Sequence, residues 1–170
     1  MDVAAAIGRL EANGALLRRI LESASLAQAR WKPEPDRWSM LEVAAHLLDE
    51  EREDFRARLA LLLEDPKAEW PSIDPQGWVE SRAYGGWDLG ETIGEFAAER
   101  ARSVAWLQSL DDVDWRIEYR HPQLGVLRAG DLLASWVTHD ALHLRQLAGL
   151  EWGWCRTLTE PYSPAYAGDW

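Results

Sequence analysis

The sequence predicts an all-α protein, a four-helix bundle, on three observations. Apolar residues recur at helical spacing in four stretches, two of those stretches open on capping signals, and Pro and Gly gather in one long connection. The first stretch, 2–30, sets Ile7, Leu10, Leu17, Ile20 and Leu21 three and four apart, with Arg and Glu between them. Trp31-Lys32-Pro33-Glu34-Pro35 ends it, because the residue before a proline is pushed out of the α region. The second stretch opens at Ser39-Met-Leu-Glu42, a capping box in which hydroxyl and carboxylate satisfy orphan amides reciprocally, and runs to Leu63 or Glu64. The third starts at Asp88-Leu-Gly-Glu91 and reaches about Leu110. The fourth covers 129–150.

Between the second and third helices, residues 66–87 hold Pro66, Pro71, Pro75, Gly77, Gly85 and Gly86, a crossover rather than an element. Trp70, Trp78, Tyr84 and Trp87 in the same segment predict that it is ordered and packed on the bundle. Residues 111–128 read as irregular, and 151–170 as an aromatic tail without helical period. A chain of 170 residues with no repeat or domain-splitting linker fits one domain, 1–170, able to bury a core without staples.

Composition narrows the function. The net charge is −11, and the 18 basic residues are scattered among 29 acids, which opposes binding to a phosphate backbone. No run approaches the roughly 18 apolar residues of a membrane span. The N-terminus lacks the charged and apolar regions of a signal peptide, and the single Cys155 excludes an internal disulfide framework, so a cytoplasmic protein is expected. Eleven tryptophans predict aromatic packing anchors or pocket walls. An acidic bundle with apolar surplus is expected to form a homodimer.

Three of the four histidines fall on two helices. His139 and His143 leave one face of the fourth helix a turn apart, on the stripe of Leu132, Trp136 and Leu150, and such a pair can chelate one ion. His46 lies on the second helix between Glu42 and Glu50. The apolar stripe of that helix centres on Ala44, Leu48, Phe55 and Leu62, and His46 points away from it, which favours a site at the rim of the bundle. His139-Asp140-Ala-Leu-His143 imitates the zinc-protease pattern, but Asp is a methylene short for its general base. A carboxylate-bridged di-iron site fails on register. His121, before Pro122, reads as structural or exposed.

Taken together, Trp38-Ser39, Glu42, His46-Leu-Leu-Asp49-Glu50, His121-Pro-x-x-Gly125 and His139-Asp-Ala-Leu-His143-Leu-Arg-Gln146 resemble the DinB/YfiT-like superfamily over about residues 1–150. The resemblance implies a four-helix bundle of unusual topology with one divalent metal on His46, His139 and His143. It implies low-molecular-weight thiols as cosubstrates, as in mycothiol- or bacillithiol-type transferases, with a few relatives hydrolase-like and dimers common. Neutral imidazoles leave an ion its full charge, which suits attack by a thiol or hydrolysis of a small substrate. A metal-binding stress-response protein without turnover is the other reading. Zinc, nickel, manganese and iron all accept imidazole. Glu42, Asp49 and Glu50 are candidates to orient His46 or act as a base, and Gln146 to touch a ligand or fix a ring. Because imidazole binds metal only when neutral, release is expected below about pH 6 with the fold surviving.

Overall fold

The computed structural model describes residues 1–168. Its long helices are α1 (Val3–Ser23), α3 (Met40–Glu53) continued by α4 (Phe55–Glu64), α6 (Leu89–Gln108) and α7 (Ala129–Thr159), with the short α2 (Leu26–Arg30) and α5 (Pro75–Ser81) between them. The four-helix bundle is therefore made by α1, the α3–α4 pair, α6 and α7. Helix α1 packs on α6 and α7, α3 on α6, and α4 on α7.

The helix starts follow the capping chemistry. Ser39 Oγ accepts from the Glu42 amide while Glu42 Oε2 accepts from the Ser39 amide at 2.8 Å, closing the predicted box. At α6, the Asp88 carboxylate accepts from the Glu91 amide at 2.8 Å. Two apolar clusters fill the interior. One joins Leu17 and Leu21 to Val43, Leu47, Phe96 and Leu147; the other joins Leu10, Phe55, Leu59, Leu107, Leu133 and Trp136.

Four elements depart from the sequence expectation. The first helix breaks at Ala24, whose backbone is extended, and Ser25 caps the separate α2. The second breaks at Asp54 (φ −112°, ψ −95°), where no Pro or Gly signals an interruption. Residues 118–121 and 125–128, read as irregular, form an antiparallel hairpin, β1 and β2, that pairs Glu118 with Arg128 and His121 with Gly125. Gly125 takes φ 77°, a conformation that favours glycine, and His121 Nδ1 accepts from the Gln123 and Leu124 amides at 3.2 Å each. The tail is helical as far as Thr159 rather than irregular from 151, because α7 leans on α2 and the segment after it. Glu151 accepts from Gln28, Trp154 meets Trp31 edge-on at 6.0 Å, and a Cβ on Gly153 would stand 2.7 Å from the Trp31 ring. Residues 160–168 are irregular apart from a 3-10 turn at Ala165–Ala167, and 169–170, the end of the predicted tail, lie outside the described residues.

The crossover is ordered, as its aromatics predict. It contains α5 and a 3-10 turn at Tyr84–Gly86, and Trp78 and Tyr84 pack on Ala45 of α3. Trp70 stacks on Tyr119 of the hairpin with ring centroids 4.0 Å apart. Among the described residues, no helix is long and apolar enough to cross a membrane.

Candidate metal centre

Every residue of α3 from Met40 to Glu51 is buried, so this helix has no solvated side at the level of His46. The polar face that the wheel gives His46 is covered rather than solvated, although the cavity beside it reaches the exposed Arg37, Gln76 and Leu142. The polar face of α3 is covered by the crossover on one side and by α7 on another, and two of its carboxylates, Asp49 and Glu51, are compensated inside. Asp49 Oδ2 accepts from Arg82 Nη1 at 2.6 Å and from the Tyr84 hydroxyl at 2.7 Å. Glu51 accepts from Arg100 Nε and Trp136 Nε1 at 2.8 Å each and from Ser103 Oγ at 2.7 Å.

Helix α7 brings His139 and His143 over His46. His46 Nε2 lies 3.4 Å from His139 Nε2, and His139 Nε2 lies 3.1 Å from His143 Nε2. One ligand atom from each ring falls within 4.8 Å of the others, a cluster that could hold an ion. Trp38 tilts against His46 at 4.9 Å and Phe55 against His139 at 5.2 Å, forming aromatic walls. The cluster opens into a cavity of about 570 Å³ lined also by Arg37, Glu50, Asp54, Gln76, Leu142 and Gln146. That volume lies within the range of small-molecule sites.

The candidates named from sequence separate here. Gln146 is at the site: its Oε1 stands 2.9 Å from His143 Nδ1, so that nitrogen carries the proton and Nε2 is left as a bare lone pair facing the cluster. Glu50 is at the site too, with Oε1 3.9 Å from His46 Nδ1. Glu42 is not among the cavity-lining residues: one oxygen closes the capping box and the other pairs with Lys32 Nζ at 2.7 Å. Asp49 is held by Arg82 and Tyr84. Asp140, the residue that would serve as base in a zinc-protease reading, faces away from the histidines and grips Arg100 through both oxygens, at 2.7 and 2.8 Å. Arg100 and Glu51 were not singled out from sequence, and an Arg within an amphipathic helix gives no signal of burial.

Electrostatics keep the rings neutral. Desolvation, then the neighbouring rings, lowers the His46 pKa to about 2. Desolvation followed by His143 and Arg100 lowers His139 to about 3, and desolvation lowers His143 as well. Glu50 is pushed up to about 9 by burial and then by Asp54. For a histidine whose folded pKa lies below its unfolded value of about 6.5, the unfolded chain binds the extra proton and stability falls as pH falls. Without metal, the fold has the full contribution of these rings above about pH 6.5 and loses it progressively toward pH 3. Denaturation midpoints of metal-free protein should therefore fall between pH 6.5 and 4, and a flat profile there would contradict the burial argument.

The DinB superfamily profile matches residues 9–147. The chain belongs to the DinB superfamily. Among solved structures, this DinB chain is similar to YfiT from Bacillus subtilis, described as "a probable metal-dependent hydrolase with an unusual four-helix bundle topology". The TM-score is 0.77 at 21% identity, over 87% of this chain and 85% of that one, a likeness of fold. No curated protein matches the chain.

Proposed function

We propose that His46, His139 and His143 hold one divalent ion and that the protein is a metal-dependent enzyme of thiol-transferase type acting on a small molecule in the adjoining cavity. The observation that carries the reading is the convergence of three Nε2 atoms. Ligands 2.0–2.1 Å from an ion at tetrahedral angles stand about 3.3–3.4 Å apart; the two spacings to His139 are 3.1 and 3.4 Å, and one ligand atom from each ring lies within 4.8 Å of the others. Hydrogen bonding alone serves the cluster poorly, because a proton on His139 can be given to one neighbour and leaves the other facing a nitrogen that does not donate to it. Zinc, nickel, manganese and iron all suit the donor set. When bound, the ion would supply Lewis acidity, lowering the pKa of a thiol or water.

The chain's own groups would do the rest. Gln146 fixes His143, Trp38 and Phe55 hold the other rings by contact and limit water, and Glu50 is a buried carboxyl at the edge of the cavity. Room for two small reactants, a thiol and an electrophile, favours transfer. Hydrolysis is the second reading, supported by the description of YfiT. The reading includes a cytoplasmic homodimer, and light scattering that gives only the 19.3 kDa monomer would remove the dimer from it.

Elemental analysis of purified protein, then conjugation of low-molecular-weight thiols to a generic electrophile with and without chelator, tests the proposal. Turnover that chelation abolishes and metal restores supports it. Metal-bound protein that conjugates nothing yet hydrolyses small esters or amides would move the assignment to the second reading, and bound metal without either activity would leave a binding protein.

A further inference from the structure

Two of the three rings in the cluster have a partner one turn further along the same helix, and the partners differ in how they are engaged. His143 Nδ1 donates to Gln146 Oε1 at 2.9 Å, three residues on. Four residues beyond His46, Glu50 Oε1 faces His46 Nδ1 at 3.9 Å, too long for a hydrogen bond. Both of those atoms are buried, and among the described residues neither has a hydrogen-bond partner. His46 is 4% exposed and so is Glu50, so neither atom is rescued by bulk solvent. A buried donor and a buried acceptor left facing each other cost free energy that closing the gap recovers. The gap closes once the two atoms come within about 3.2 Å of each other.

We infer that Glu50 is a positioning residue for His46: its Oε1 accepts the Nδ1 proton, fixing the tautomer that turns a bare Nε2 toward His139 and His143. The inference rests on the reading of the cluster as a metal centre. Glu50 does for His46 what Gln146 does for His143, and the shared requirement is an acceptor oxygen rather than a charge. An imidazole held in this way is oriented and made a better donor at its other nitrogen. Among the described residues no other acceptor hydrogen-bonds His46 Nδ1, and Glu42 and Asp49, the other carboxylates near His46 in sequence, are committed to Lys32 and to Arg82 with Tyr84. Asp54 and Arg58 also face Glu50, and Arg58 Nε pairs with Asp54 Oδ1 at 3.0 Å, so the far side of the carboxyl is occupied while Oε1 stays free for the ring.

The test compares Glu50→Leu with Glu50→Gln by chelator competition for the metal that the purified protein carries. The leucine variant should bind metal about 10–100-fold more weakly, the usual cost of removing such a partner. The glutamine variant keeps an acceptor oxygen at the same reach and should stay closer to the parent than to the leucine variant. Nitrogen chemical shifts of the His46 ring should show the proton on Nδ1 in the parent and the glutamine variant, and a mixture of tautomers in the leucine variant. Circular dichroism of the metal-free forms checks that all three fold, and if the leucine variant does not, Glu50→Ala takes its place. Leucine binding as tight as the parent's, or glutamine falling as far as leucine, overturns the inference. His46→Ala separates the two levels: if it retains full metal, the metal centre itself is wrong, and if it loses metal while Glu50→Leu does not, the error is confined to Glu50.

Discussion

Alanine at His46, His139 or His143 should each lower the affinity for divalent metal by on the order of 3 kcal/mol, about a hundredfold, given roughly 10–16 kcal/mol for four-ligand zinc sites. His121→Ala should leave it unchanged, because His121 is spent on the hairpin turn through the Gln123 and Leu124 amides. The contrast among four histidines of one chain controls for general loss of imidazole. Removing any one of the three also removes a buried, hard-to-protonate ring, so the metal-free variants should be no less stable than the parent in acid. Loss of metal without loss of fold is the expected signature. Burial affects the pH of release as well. Free imidazoles would compete with protons below about pH 6, but His46 and His139 are held near 2 and 3, so bound metal should persist to lower pH than exposed histidines would allow. A metal content that drops at pH 6 would mean that the cluster opens to water. Equal metal content in all four alanine variants would refute the assignment.

Much of the candidate site's geometry was legible in the sequence, because its signals are local. The His139/His143 spacing fixes two rings on one face whatever the tertiary packing, and the Ser39 box fixes where α3 begins and hence the face that His46 takes. What stayed hidden depends on long-range covering. Helical periodicity assumes one wet side, and α3 has none: Trp78 and Tyr84 arrive from the crossover, and α7 from the far end of the chain. A run rich in Asp and Glu marks a face that periodicity assigns to water, although Asp49, Glu50 and Glu51 are all buried. The break at Asp54 has no Pro or Gly to announce it. The hairpin escaped because its strands are four residues each, too short for a clear alternation. The extra turns of α7 depend on Gly153 fitting beneath Trp31, a contact between residues more than a hundred apart in sequence.

The largest effect on stability is expected at Arg100, which 4% exposure places well inside the bundle. Its guanidinium joins three helices: Nε donates to Glu51 of α3 at 2.8 Å, Nη1 to the Leu10 carbonyl of α1 at 2.9 Å, and both terminal nitrogens to Asp140 of α7. The net balance is one cation against two carboxylates, with Trp136 Nε1 and Ser103 Oγ sharing the surplus on Glu51. Such a network adds little over a well-packed apolar substitute, but taking away one member strands the rest, and that costs about 3–5 kcal/mol. Arg100→Met removes the cation of this network and leaves Glu51 and Asp140 without a counter-charge among the described residues, against a total stability of roughly 5–15 kcal/mol for a domain. Asp140→Asn keeps the shape, leaves the Arg100–Glu51 pair intact and should cost less. Chemical denaturation at neutral pH reads both. The consequence for the site follows from geometry. Asp140 adjoins His139, and its two-pronged grip on Arg100 sets the rotation of α7 that turns His139 and His143 toward α3. Variants that loosen the grip should therefore weaken metal binding even under conditions where the helices remain folded. If Arg100→Met unfolds at the same denaturant concentration as the parent and keeps its metal, the clamp has neither the energetic nor the positioning role assigned to it.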